Sequence, residues 1–389
     1  MTRPTHDWIP ERHLGAAATL AHADELIGQI GDLLFDYQAQ PGGTFTLREV
    51  AAGSVSRTEV GHIAPIPRKV SLLVADALVA LRAALEHALF AEVEFLEGGQ
   101  LDERAAKLVE IPASDTYEKF DEWMRRRAKN GPPSLRAGSE LVRRIEGIQP
   151  FQRVNEPHSH PLARLTIHTN HAKHRTPAIT AVRLAAMYRD DQLPRSMGDL
   201  PTRPEEPIRV GDVIAETPLG TKVPVTLFPT VGINRPGTDR WPVLMTELDE
   251  ISWWVRTQAV PRLITGGDLP EPALPTRYEI SVGQEDERAA IAAGSMISAP
   301  ERHKQRLGAA NARPGLVDLI GQIKGAPSVS DITAWAEHLT DEEVLERMSR
   351  LRKTFTYQPE TLLRNADVVA ALLDEVLNFA FDDDPAEAR

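Results

Sequence analysis

From Val70 to Leu96 apolar residues return at three- and four-residue steps, which is the period of a helix. Leu73, Val74, Ala77, Leu78, Leu81, Ala84, Leu85, Ala88 and Leu89 make that surface apolar almost all round. A helix of this kind is buried among others, and its Ala and Leu content favours helix intrinsically. Asp76, Arg82, Glu86 and His87 interrupt the stripe. A buried guanidinium and imidazole need partners, so they belong either to a structural network or to a site.

The same pattern divides the rest of the chain. Trp8 to about Tyr37 reads as a helix with one broad apolar face, stopped by Pro41-Gly42-Gly43. Thr44 to Val50 alternates as a strand, and Ser56 to Ile63 is its hairpin partner. Gly98-Gly99 ends the long helix, and Leu101 to Val109 looks helical. Ser114 or Asp115 caps a helix over Tyr117 to Arg127, with Glu118 placed for a capping box. Ser134 caps another to about Ile148, and Leu162 to Arg175 follows with Pro161 in its first turn. Four prolines between Leu193 and Pro207 mark a boundary. Ile208 to Ile233 is β-rich, Val243 to Ile264 is helical, and Leu269 to Pro275 reads as a linker. Ser330 to Phe381 is strongly helical, with a capping box at Thr340 and Glu343.

These elements predict a mainly α chain. Residues 1–192 form an N-terminal antiparallel helical bundle with a β-hairpin insert. Residues 208–266 form a small α+β region, and residues 276–389 a helical C-terminal domain.

Composition narrows the function classes. The chain has no Cys, which excludes disulfides and thiolate metal sites and suits a reducing cytoplasm. The start lacks a basic-then-apolar signal pattern, and charged residues inside the long helix argue against a membrane span. A formal charge of −12 argues against general nucleic-acid affinity. The average hides an asymmetry. Lys119 to Arg189 holds 14 Lys/Arg against 5 Asp/Glu, net +9, while Thr340 to Arg389 holds 6 against 12, net −6. The two stretches serve an anionic ligand, or each other, or are solvated helix faces.

Two constellations carry candidate chemistry. Arg82 and His87 lie five residues apart, about 140° around a helix axis. An imidazole titrates near neutrality and suits proton transfer; a guanidinium suits a charged phosphorus. The structural alternative is a helix-packing His87 and an Arg82 paired with Glu86 or another acid. The second constellation holds five of the 12 histidines: His158, His160, His168, His171 and His174. With Lys173 and Arg175 they suit an anion; imidazoles at helical spacing also suit a transition metal. HExxH is absent and no carboxylate lies between His158 and Arg175, so no metal site is assigned. Phosphate loops, nucleophile elbows and kinase signatures are missing too.

DALVALRAALEH (Asp76 to His87), IQPFQ (Ile148 to Gln152) and HPLARLTIHTNHAKHR (His160 to Arg175) resemble a widespread family of uncharacterised bacterial proteins. That family reads "LRSALDH", then "QPY", then "HPL … DKHR" in the same order. Its long helix in turn resembles that of the HEPN helical-bundle ribonucleases, with their Arg-polar-x3-His motif. This chain has Ala83 after the arginine and Ala172 before Lys173-His174-Arg175. The resemblance implies a HEPN-like, metal-independent endoribonuclease that needs no cofactor, a toxin or phage-defence effector. His87 would be the general acid/base and Arg82 the stabiliser of the charged phosphorus. Lys173, His174 and Arg175, with His171, would grip RNA, and the groove would form in a homodimer. The rival is a non-catalytic binding or scaffold protein; a weaker one is a histidine-site metalloprotein.

Overall fold

The computed structural model describes residues 6–189, 200, 203–221, 223–352 and 358–382. It is mainly helical with a small amount of antiparallel sheet. In chain order come α1 (Leu14–Ala39), β1 (Phe45–Ala52), β2 (Val55–Ile63), α2 (Arg68–Glu97), α3 (Glu103–Ala106), α4 (Tyr117–Arg127), α5 (Glu140–Glu146) and α6 (Pro161–His174). Then follow β3 (Thr180–Arg189), β4 (Val213–Pro218), β5 (Val225–Ile233), α7 (Leu244–Trp254), α8 (Val260–Thr265) and α9 (Glu287–Ala292). The last helices are α10 (Ala299–Gly321), α11 (Val329–His338), α12 (Asp341–Arg350) and α13 (Pro359–Asp382). Among the described residues no helix is long and apolar enough to cross a membrane.

The chain divides into two compact units, 1–300 and 301–389. In the first, α1 and α2 pack antiparallel. His13 at the start of α1 meets Glu92 near the end of α2, and Thr19 meets His87. α6 lies on another side of α2, also antiparallel, with Thr166 against Arg82 and Ala172 beside Ala75. Twelve α2 residues are buried, from Val70 to Val93, so the apolar stripe read in the sequence is the centre of this core.

The β insert is a hairpin with Ala52 opposite Val55. Its two-residue turn needs a positive φ, which Gly53 supplies at 65°. β4 pairs with the other edge of β2, and β3 pairs with β5, both antiparallel. Val60, Leu184 and Ile214 join the two sheets in a small core.

These pairings move the expected boundaries. The stretch 193–207 lies largely outside the described residues, but strands before and after it pair with each other. The same core takes Leu81 and Leu165 from one side and Leu248 and Leu263 from the other. Residues 1–192 and 208–266 are therefore one unit, not two. The expected linker 269–275 also belongs to it: Leu274 is buried, and Trp8 Nε1 donates to the Pro272 carbonyl at 2.9 Å. The C-terminal unit begins at 301 rather than 276.

Shorter corrections follow the same logic. α3 covers only Glu103–Ala106, capped by Asp102. Thr116, not Ser114 or Asp115, caps α4, and Ser139 rather than Ser134 caps α5. Helix α7 passes through a wide π turn, Val255–Ala259, into α8. Pro261 lacks the N–H that a regular turn needs there, and the wider turn accommodates its ring.

The second unit has its own core of Leu316, Ile320, Ile332, Trp335, Val344, Leu372 and Val376. The expected capping box is present: Thr340 Oγ1 accepts from the Glu343 N–H, and Glu343 accepts from the Thr340 N–H. Arg347 and Arg350 both bond Glu375, tying α12 to α13.

Candidate functional site

α2 begins after Pro65 and Pro67, which hold the chain extended, and ends at Gly98 in the left-handed region. Its two candidate catalytic residues point to different neighbours. Arg82 donates to Thr166 Oγ1 at 3.2 Å and to the Ile111 carbonyl, and it pairs with Glu86 at 2.5 Å. Glu86 in turn accepts from the Ile111 N–H at 2.9 Å. Both polar groups of Ile111 are thus clipped to one turn of α2. Burial pushes the Glu86 carboxyl up, against the pull of Arg82 and the Ile111 N–H.

His87 is exposed and faces α1. Its Nδ1 lies 3.4 Å from Thr19 Oγ1. The Thr19 hydroxyl donates to the Gly15 carbonyl at 2.8 Å, so its oxygen is left to accept from the imidazole. Within one chain Arg82 and His87 do not share a cleft.

The five clustered histidines also part company. His160 Nδ1 accepts from the Leu162 N–H and caps α6; its ring stands edge-on to Trp254 at 5.0 Å. Burial, with the charges of Arg153 and Arg164, pushes His160 down to about 4, so it is neutral at pH 7. His168 is buried against Glu247. His171 is half-buried beside His168 in a small cavity with Ala75 and Asn234. His158 and His174 are exposed. Among the described residues no group of His, Asp and Glu is placed to hold a metal ion.

A buried network absent from the sequence reading centres on Glu247 of α7, which is 1% exposed. It accepts from Arg235 at 2.7 and 3.0 Å and from Arg164 at 2.7 Å, with His168 Nε2 at 3.4 Å. Arg164 also bonds Glu250. Burial pushes Glu247 up, but hydrogen bonds from His168 and Arg235 and the charges of Arg164 and Arg235 outweigh it. They hold the carboxyl at about 2. The Arg164–Glu250 spacing across two helices left no periodic signal, so only the packing reveals it. A second network joins Arg12, His13 and Arg144 to buried Glu92.

Seven of the 14 cations in the basic stretch 119–189 are spent in ion pairs. Lys119, Arg125 and Arg126 meet acids one helical turn back, and Arg127, Arg143, Arg144 and Arg164 are paired as well. Lys173 and Arg175 are exposed and, among the described residues, their side chains have no partner. They stand where α6 finishes, favourably placed for a helix C-terminus.

Arg68 and Lys69 open α2, whose first turn holds no acid. Both are exposed and likewise without a partner among the described residues. Of these four cations Arg68 lines one open groove of about 780 Å³, together with Ser71 and Leu72 from α2 and Thr176 to Val182 from the chain directly after Arg175. Asp76 is exposed two turns further along α2 and makes no ion pair with them. The expected anion-binding residues Lys173, His174 and Arg175 therefore lie at this end of the bundle; the expected catalytic pair does not. Arg68 and Lys69 escaped the sequence reading because nothing in the local pattern ties them to residues a hundred positions later. Compared with protein families, curated proteins and solved structures, the chain matches none.

Proposed function

We propose that this chain is a non-catalytic binding protein that takes an anionic partner where α2 begins and α6 finishes. One observation carries the reading. Arg68 and Lys69 occupy the positive end of a 30-residue helix whose first turn holds no acid, and neither makes an ion pair among the described residues. Each cation there costs about 0.3–1 kcal/mol relative to a neutral residue, and a bound anion reverses that sign. Lys173 and Arg175 add to the same field. A cytoplasmic setting suits a chain without cysteine.

The test is titration of a labelled oligouridine RNA and of polyglutamate with the full-length protein at rising salt. Binding that weakens with salt, and that is lost in the double variant Lys173→Glu, Arg175→Glu, is the expected result. Undiminished binding by that variant sinks the reading.

A HEPN-like, metal-independent endoribonuclease acting as a homodimer is the second reading. It is favoured by exposed His87, whose Nε2 has no partner among the described residues. It requires a second chain to supply the guanidinium, because Arg82 is committed to Glu86 and Ile111. RNA cleavage in EDTA, absent from His87→Ala, would establish it; intact RNA under those conditions removes it.

A further inference from the structure

We propose that the groove between the end of β2, the start of α2 and the start of β3 binds an extended acidic peptide segment of a partner protein, as an added strand on β3. The proposal rests on the binding reading above and names its partner class.

The backbone carries the first part. Ile179 O accepts from the Asn234 N–H at 2.9 Å, so Ile179 turns its polar groups toward β5. Alternation then turns Ala178, Thr180 and Val182 the other way. Val182 O confirms the direction by accepting from the Ile208 N–H at 3.0 Å. Among the described residues the N–H and C=O of half-buried Thr180 have no partner, whereas Val182 is buried and marks where the edge closes. Together with Ala178, Thr180 presents a short open strand edge to the groove, the geometry that strand addition uses.

Side chains carry the second part. The groove of about 780 Å³ is walled by Ile63, Ile66, Leu72, Ile179 and Ile208, all aliphatic. Every second side chain of an added strand would enter this apolar trough. The groove walls hold no aromatic ring on which a nucleobase could stack, which favours peptide over single-stranded RNA. Arg68 in one wall, followed in sequence by Lys69, and exposed Arg175 next to Thr176 in the other select carboxylates on the outward positions.

The experiment uses a fluorescein-labelled, acetylated and amidated hexapeptide alternating glutamate and valine, titrated by anisotropy with the full-length protein. Saturable binding is expected. A lysine–valine peptide and a glutamate–valine peptide N-methylated at alternate amides should each bind at least roughly tenfold more weakly. Arg68→Glu and Leu72→Glu, both at exposed positions, should weaken the first peptide by a similar factor while leaving the circular dichroism spectrum unchanged. Oligouridine RNA is titrated alongside. If RNA binds and the acidic peptide does not, this inference fails and the binding reading stands. If neither RNA, polyglutamate nor the peptide binds, both fail. Equal binding of the N-methylated peptide overturns strand addition, and equal binding of the lysine peptide overturns the charge argument.

Discussion

Glu247 and the opening of α2 treat charge in opposite ways. Around Glu247, two guanidiniums and the His168 imidazole converge on one buried carboxylate, and both arginines have that opposite charge within hydrogen-bonding reach. At Arg68 and Lys69 two exposed cations stand at the unfavourable end of a helix with no ion-pair partner among the described residues. The first arrangement joins α6, α7 and the chain after β5, and removing a member breaks packing. The second contributes nothing to packing and even opposes the helix dipole. The proposed binding reading rests on the unbalanced pair, whereas removing one partner of the balanced core network leaves a buried charge uncompensated. The histidines follow the same division, since His160 and His168 are absorbed by caps and pairs while His174 remains outside.

The strongest way to break this comparison is Glu247→Gln. It leaves Arg164, Arg235 and His168 facing a neutral group, and the expected loss is about 3–5 kcal/mol, read from urea unfolding at pH 7. A loss below that of an ordinary surface substitution would show that the network is not structural. The same variant has a pH signature. Glu247 is held at about 2 in the folded chain against an ordinary 4.5. Its folded pKa is depressed, so its contribution is complete above the unfolded value and fades as pH falls from 4.5 toward 2. The gap between wild type and variant should narrow over that window; a gap that widens there contradicts the assignment.

Arg82→Ala comes next. It strips the Ile111 carbonyl of its donor and leaves Glu86 with only the Ile111 N–H, for an expected loss of about 1–3 kcal/mol in the same assay. An unchanged unfolding midpoint would return Arg82 to the pool of residues free for chemistry. Arg68→Glu is smaller and of opposite sign. An acid at the first turn of α2 should stabilise the fold by about 0.3–1 kcal/mol while weakening anion binding roughly tenfold. A variant that lost stability and kept binding would reverse the meaning assigned to this end. His87→Ala should move stability by less than about 0.5 kcal/mol, because the exposed ring makes one long bond to Thr19.

The long helix, the hairpin and the Thr340 capping box were legible in the sequence because their signals are local: a 3.6-residue period, a two-residue alternation, a four-residue motif. β3 was not. Val182, Arg183 and Leu184 are buried in succession, so its start shows no alternation of burial. Nor was the β2–β4 pairing, which joins Arg57 to Glu216 across 159 positions. The candidate site divides the same way. Glu86 was visible as a partner for Arg82 at one helical turn, and the structure takes up that pairing. Glu247 reads in sequence as one more acid on a helix; its role is set by Arg164, 83 residues earlier. Lys173 to Arg175 stood out by composition, whereas Arg68 and Lys69 acquire meaning only beside Thr176 and Pro177.

One consequence follows from β2 having neighbours on both sides. Its second neighbour, β4, begins at Val213, long after the first, β1, has ended at Ala52. During synthesis the hairpin must therefore wait, half of its backbone bare, until the ribosome has delivered Val213–Pro218. A fragment cut before that segment would never close the sheet and would offer the naked strand to other copies of itself. Anyone isolating the helical half of this protein has to keep the sequence through Pro218 at least, even though among the described residues no helix lies between His174 and there.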